Sequence, residues 1–365
     1  MFGVFLLAAA ALLHLYVFWR ASSVPAVARR VPRAVLAGTG AFLWAGFAAA
    51  RVLGHGGSGG AAAVLEAIAM NWLAMIFLAS VSLLALDLAT GFGSLAGRSA
   101  PSLRGWALAA GGVLSAIALF QGLRAPVVEE YEVRLPGLPD RLDGTVLVAM
   151  SDLHLGTFRG ERWLDARVGQ VLALRPDIVV LLGDLFEGHG PPRQDLIPAL
   201  GTLSAPLGVW AVAGNHESHG RGGNGMFPSG EAGIRVLDNR WAEVLPGLVL
   251  SGVDGIPQRL RTGKGENPIL RALAGRPPGA SILLQHAPVD AEKAAAAGVG
   301  LMLSGHTHGG QIWPLGYLVR LVYPYVDGIY ETGGMKIVVS RGTGTWGACM
   351  RLWRPAQILR ITLRA

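Results

Sequence analysis

Charged residues are scarce. Asp, Glu, Lys and Arg make up only 15% of the 365 residues, against 52% apolar ones, which is too oily for an ordinary soluble protein and requires a membrane part. Cysteine is all but missing: Cys349 stands alone, which excludes an internal disulfide framework and leaves it to be read as a small core residue near the last strand. Nor is there a basic stretch interleaved with aromatics, so no nucleic-acid partner is expected despite a net charge of +7. That charge comes almost wholly from arginines, many of them in loops between apolar runs, where membrane topology accounts for it.

What is present first is a set of four apolar runs, residues 2–19, 34–53, 64–88 and 105–123. Each is near the roughly 20 residues that cross a bilayer core. Trp19, Trp44, Trp72 and Trp106 lie at or near run ends, where amphipathic rings favour the headgroup level. A soluble bundle would need polar faces at helical period, and these runs lack them. The first run has no basic residue ahead of it and no small-residue cleavage site, so it reads as a retained helix rather than a signal peptide. Asn71 and Asp87, in the third run, are placed near the interfaces, His14 is read as an interface residue and His55 as a loop residue. The Gly-rich stretches 54–60 and 220–230 read as loops.

Orientation follows from the arginines. Arg20, Arg29, Arg30, Arg33, Arg98 and Arg104 fall on one side of the runs, Arg51 and Arg124 on the other. Basic short loops stay cytoplasmic, so a multi-pass inner- or plasma-membrane protein is expected, with residues 1–124 in the membrane and residues 125–365 outside the cytoplasm.

After Arg124 the texture changes. Ala125-Pro126 breaks the helix, and residues 127–135 alternate apolar and charged as an edge strand does. Residues 145–150, 177–182, 209–213, 248–253, 281–284 and 300–304 read as buried strands, several with helical stretches between them, and 336–340 and 357–363 as a late β region. No internal repeat is visible in this part.

Five of these strands end in residues of metal-ligand type, where open α/β sheets place their sites. Asp152 and His154 follow the first, two apart, so in extended chain both point the same way. Gly183-Asp184 follows the next, and a carboxylate there can bridge two cations. Gly214-Asn215-His216-Glu217 offers an amide oxygen beside an imidazole, a further strand ends at His286, and another at Gly305-His306-Thr307-His308. Each alone has an ordinary reading, a cap or a core histidine. Together, neutral imidazoles, carboxylates and an amide oxygen suit Mn, Fe or Zn better than Ca. Seven ligands with one bridge fit two ions a few Å apart, which would clamp a phosphate and activate a water.

Asp152-Leu-His154, Gly183-Asp184, Gly214-Asn215-His216-Glu217, His286 and Gly305-His306-Thr307-His308 resemble, in order and spacing, the signature of the calcineurin-like metallophosphoesterases. The resemblance covers about residues 125–365. Within it, the segments from Ser304 to Gln311 and from Ser340 to Trp346 look like the YkuE/YaeI-type branch, bacterial phosphoesterases often tethered to membranes. It implies a four-layer α-β-β-α sandwich with a dinuclear site at the sheet edge. By position, Asp152, His154, Asp184 and His308 would hold one metal, and Asp184, Asn215, His286 and His306 the other. His216 resembles the family's catalytic imidazole, able to donate a proton to a departing alkoxide or to steady a phosphoryl oxygen.

Glu217 and Asp177 read either as carboxylates that orient imidazoles or as solvated or capping residues. Arg341 reads as a substrate contact or a surface salt bridge, and His189 as a substrate contact or a solvent-facing residue. A membrane-anchored phosphoesterase, best a phosphodiesterase acting on a small or lipid-linked ester, is therefore the leading expectation. Its alternatives are a pyrophosphatase cleaving a UDP-linked diacylglucosamine, a non-catalytic phosphate-binding receptor, and a transporter regulated by the domain. The first needs a cytoplasmic site and the second lost ligands, and the third finds few polar groups in the helices.

Overall fold

The computed structural model describes residues 2–56, 60–156, 159–187, 194–218, 232–253 and 267–365. The chain divides into two compact units, Met1–Leu123 with Gly347–Leu352, and Arg124–Trp346 with Trp353–Ala365.

The first unit is built on four long helices, α1 (Phe2–Ala21), α2 (Arg33–Gly56), α3 (Gly60–Ala89) and α4 (Ala100–Leu123). All four are long and apolar enough to cross a membrane. Ala- and Leu-rich runs favour helix, and in lipid only a helix satisfies its own backbone. α3 and α4 approach closely at Gly111, where a Cβ would lie 2.7 Å from the Ala79 Cα.

The loop reading of residues 54–60 and His55 and the strand-core reading of Cys349 are corrected, while His14 and Asn71 make contacts within the unit. The glycine-rich stretch 54–60 is helical at Gly56 and again from Gly60, and His55 lies within α2; residues 57–59 fall outside the described residues. His14 is buried, with Nδ1 2.7 Å from the Ala10 carbonyl and Nε2 accepting from the Trp72 indole at 2.9 Å. Asn71 sits well inside α3, where Oδ1 accepts the Cys349 N–H at 3.1 Å. Cys349 thus belongs to the helical unit and not to a core near the last strand.

The second unit holds two six-stranded sheets, numbered along the chain. One contains β1 (Val127–Arg134), β2 (Val146–Met150), β3 (Ile178–Leu181), β4 (Val209–Ala211), β5 (Arg235–Val236) and β12 (Gln357–Arg364), in the order β1-β12-β2-β3-β4-β5. The other contains β6 (Arg240–Leu245), β7 (Leu248–Val253), β8 (Ala280–Gln285), β9 (Leu301–Ser304), β10 (Gly328–Thr332) and β11 (Met335–Val339), in the order β10-β11-β9-β8-β7-β6. β2 to β5 run parallel, as do β7, β8, β9 and β11.

The period of two along each strand makes the layers. Leu147, Ala149, Ile178 and Val180 of the first sheet join Leu250, Ile282, Leu284 and Leu303 of the second in one core between the sheets. Val148, Met150, Val179 and Leu181 face the other way, against Leu164, Val168 and Val171 of the helix Glu161–Ala173. On the far side, Leu283, Met302, Ile337 and Val339 pack on Ile269, Ala272, Ala291 and Ala294 of two further helices. This is the expected α-β-β-α sandwich. Parallel strands leave the ends of β2, β3 and β4, and those of β8 and β9, on a common edge of their sheets, which positions the site.

Candidate metal centre

The turns after these strands are left-handed at the very residues that carry the chemistry. Of eleven non-glycine residues with positive φ among those described, five are Asp152, His154, Asp184, His306 and His308. Such backbone is unfavourable for residues with a Cβ and collects at functional sites. Glycine beside them is required by space: a Cβ on Gly214 or Gly305 would overlap the carboxylate of Asp184 or of Asp152, respectively.

Two groups form. Asp152, His154 and His308 bring ligand atoms within 4.8 Å of one another, as do Asp184, His286 and His306. In the first, His154 Nε2 lies 3.3 Å from His308 Nε2, which is 3.4 Å from Asp152 Oδ1. In the second, His286 Nε2 is 3.2 Å from Asp184 Oδ2, 3.1 Å from Asn215 Oδ1 and 3.3 Å from His306 Nδ1. Asp184 Oδ2 also lies 3.9 Å from His154 Nε2, so its carboxylate faces both groups. His216 joins His154 and Asp184 in a third such group, its Nε2 3.9 Å from Asp184 Oδ2 and its ring edge-on to His154 at 4.8 Å.

These side chains fit cations. Two imidazole nitrogens facing each other at 3.3 Å share at most one proton, and nitrogen and oxygen atoms this close converge naturally on an ion bound at about 2.0–2.2 Å. The second ring nitrogens of His286, His154 and His306 face a polar group from behind, which fixes tautomer and orientation. His286 Nδ1 donates to the Leu182 carbonyl at 2.6 Å, Glu187 Oε2 lies 2.8 Å from His154 Nδ1, and the Tyr323 hydroxyl lies 2.8 Å from His306 Nε2.

The charges are strongly interdependent. Burial pushes the Asp152 carboxyl up. Burial opposes the charge of Asp184 too, but His286, His216 and His154 outweigh it and hold that carboxyl well below its usual range. His286 shows the reciprocal effect: burial opposes its charge, yet Asp184 and Asp152 push it up to about 10. His306, buried beside His286, falls to about 3. Burial also lowers His216.

The remaining expectations divide. Glu217 is buried and accepts the N–H groups of Asp184 at 2.9 Å and of Leu185 and Gly214 at 2.7 Å, so it ties two ligand loops together through their backbones and not through an imidazole. Asp177 is corrected: its carboxylate accepts the Val146 N–H at 2.8 Å, at the start of β2, the opposite end of the strand from Asp152. The Arg341 guanidinium lies 2.5 Å from Glu129 and 3.8 Å from Asp327, the salt-bridge alternative. His189 and the 220–230 stretch lie outside the described residues. Glu187 and Tyr323 were missed by the sequence reading. A histidine ligand needs a partner on its other nitrogen, but only the fold reveals which residue supplies it.

Residues 145–310 match the family model described as calcineurin-like phosphoesterase. The chain is 33% identical over 275 residues to a Bos taurus transmembrane protein with metallophosphoesterase domain, the match taking in 69% of this chain and 60% of that one. It thus spans about 60% of the length of such a relative. An uncharacterized metallophosphoesterase of Aquifex aeolicus is 34% identical over 242 residues, 65% of this chain and 91% of its own. The uncharacterized metallophosphoesterase YkuE of Bacillus subtilis is 30% identical over 258 residues, 65% of this chain and 85% of its own. Matches that take in most of the last two relatives, together with the family model's match over residues 145–310, settle the kinship: the chain belongs to the calcineurin-like phosphoesterase family.

Proposed function

We propose that the protein is a membrane-anchored phosphoesterase, most naturally a phosphodiesterase, that uses two divalent ions of the Mn, Fe or Zn type. Residues 1–124 form its membrane region and residues 125–365 its catalytic domain. One observation carries this reading. Two buried carboxylates, Asp152 and Asp184, meet at one edge of both sheets, and their side-chain neighbours among the described residues are imidazoles and the Ser151 hydroxyl, not lysine or arginine. Buried anions without a permanent counter-charge are poised for a cation.

Asp152, His154 and His308 would hold one ion and Asn215, His286 and His306 the other, with the carboxylate of Asp184, which faces both groups, available to each. Bound there, the ions supply the Lewis acidity that neutralises phosphoryl oxygens and makes water nucleophilic at neutral pH. His216 serves the leaving group. Burial lowers its affinity for a proton, so the negative charge of a bound phosphoester is what restores it and allows donation to the departing alkoxide. The anchor favours a lipid-linked ester or one diffusing near the surface.

Outward orientation of the catalytic domain is supported by the arginines. Arg20 and Arg104 pair with Asp87, and Arg51 with Glu66. Setting these aside leaves Arg29, Arg30, Arg33 and Arg98 on one side against Arg124 on the other. A reporter active only outside the cytoplasm, fused after Ala365, is expected to be active, and silence would reverse the topology. For the chemistry, purified full-length protein supplied with Mn is expected to hydrolyse a generic aryl phosphodiester. Failure with each of the three metals would overturn the reading.

A further inference from the structure

The α/β unit buries most of its leucines and valines, and among the described residues the exposed ones gather most densely in one place. Between residues 313 and 323, around the short helix Leu315–Val319, Tyr317 is 64%, Leu318 60%, Leu321 82% and Val322 71% exposed. Trp353, 54% exposed, extends the surface, with its ring 5.1 Å from that of Trp313. Apolar side chains scattered singly on a surface mean little, but four within six residues, flanked by tryptophan, mark a contact surface.

The surface starts at the metal centre. Tyr323, which ends it, places its hydroxyl 2.8 Å from Nε2 of the ligand His306. Its other end lies against the ligand loop: Gly310, two residues past His308, adopts φ +78°, and a Cβ there would overlap the Gly316 backbone. The apolar surface and the ligand loop are therefore one packed piece.

We propose that this surface docks on the lipid bilayer and presents the metal centre to phosphoesters in the headgroup layer, so that the substrate is a phosphoester lipid held in the membrane. Three observations favour lipid as the occupant. The same chain carries four membrane-length helices, and only Arg124, Ala125 and Pro126 separate the last of them from β1, a tether of about 10–14 Å that keeps a bilayer within constant reach. Tyrosine and tryptophan beside aliphatic residues are the side chains that settle at a membrane interface. From Ile312 to Val326 the sequence has no Asp or Glu, and exposed Arg320 gives the surface a positive charge suited to phosphate headgroups.

The substrate half of this proposal rests on the phosphoesterase reading; the docking half does not, and the experiment separates them. Full-length protein with Cys349→Ala is placed in lipid nanodiscs and labelled with an environment-sensitive fluorophore at Leu321→Cys. Leu270→Cys, an exposed leucine on a different helix of the same unit, serves as the control. The label at 321 is expected to be quenched by spin-labelled lipid and shielded from aqueous iodide, and the label at 270 to show the reverse. A label at 321 that iodide reaches as it does the control overturns the proposal. So does one shielded from iodide but untouched by the lipid quencher, since a protein, including a second copy of this chain, then covers the surface. In the second arm, Leu321→Glu with Val322→Glu is expected to leave turnover of a soluble aryl phosphodiester within about twofold. Turnover of a phosphoester lipid in the nanodisc should fall about tenfold or more. Undiminished lipid turnover overturns the substrate half. If the unmutated protein hydrolyses neither ester, the phosphoesterase reading falls while the quenching still decides docking.

Discussion

The two units each bury carboxylates, and they treat them differently. In the helical unit Asp87 is fully buried, receives the Tyr16 hydroxyl at 2.6 Å and lies 2.7 Å from Arg20 and 3.7 Å from Arg104. Arg20 is itself covered, its guanidinium 4.0 Å from the Trp19 ring. Permanent cations close that cluster: two guanidiniums meet one carboxylate, so no negative charge is left over to attract a metal ion. In the α/β unit Asp152 and Asp184 are as deeply buried, yet their partners are imidazoles that can gain or lose a proton. A closed cluster of the first kind holds helices together; an open one of the second kind is built to receive ions.

Removing one carboxylate from each cluster breaks the comparison most sharply. Asp184→Asn keeps shape and volume but removes the carboxylate charge, and turnover should fall by about a thousandfold or more in a protein still folded under the assay conditions. Undiminished turnover would sink the two-metal reading. Asp87→Ala should do the opposite. Stranding Arg20 in a buried position costs about 3–5 kcal/mol, so the detergent-solubilised protein should unfold at lower temperature while the folded fraction keeps its rate per molecule. Equal stability in that variant would mean that Arg20 finds another partner and that the cluster is not closed.

The same contrast explains what could be read from the sequence. The candidate site was legible because each residue of ligand type follows a run of buried β residues, so that Asp152, Asp184, Asn215, His286 and His306 announce their strands as well as themselves. Strand bounds came within a residue or two for β2, β3 and β9. β6 and β10 were not foreseen, because Arg240–Leu245 and Gly328–Thr332 are half-exposed strands with no fully buried face, and β5 is only two residues long. Nothing in Gly347–Leu352 distinguishes it from its neighbours, although it sits with the helices. The Asp87 cluster was invisible for a related reason: Arg20 and Arg104 were counted as loop charges, and only packing shows which of them a carboxylate has claimed.

A smaller effect tests how the open cluster is held. Glu187 lies 2.8 Å from His154 Nδ1, where it fixes the tautomer that leaves Nε2 for an ion. Glu187→Gln should weaken metal affinity about 10- to 100-fold, read by titration of the metal-free protein, with the fold intact. Tyr323→Phe should act likewise through His306 but more weakly, because a hydroxyl polarises the ring less than a carboxylate does. A variant of Glu187 that binds metal as the parent does would show that the contact is only packing.

The subtlest difference between the clusters is in protons. Arginines are permanent cations, whereas imidazoles exchange their protons in the ordinary pH range. His286, pushed up to about 10 by Asp184 against the effect of burial, is protonated in the metal-free protein at pH 8, whereas His306, lowered to about 3, is already neutral. An imidazole must lose its proton to bind an ion, so metal loading at pH 8 should expel about one proton from His286 and none from His306. Affinity should accordingly weaken about tenfold per unit as pH falls below 10. In stability the sign runs the other way. A raised histidine contributes fully below its ordinary value near 6.5 and loses that contribution as pH rises through about 10, so the metal-free protein should melt at progressively lower temperature over that interval. The depressed Asp184 adds a loss on the acid side, below the ordinary carboxylate range. With metal bound, His286 has no proton left to lose, and the alkaline decline should be absent. Calorimetric metal titrations in buffers of different ionisation enthalpy, beside melting curves with and without chelator, check both halves. A proton count of zero would show that the imidazoles are already neutral and the cluster open in shape only.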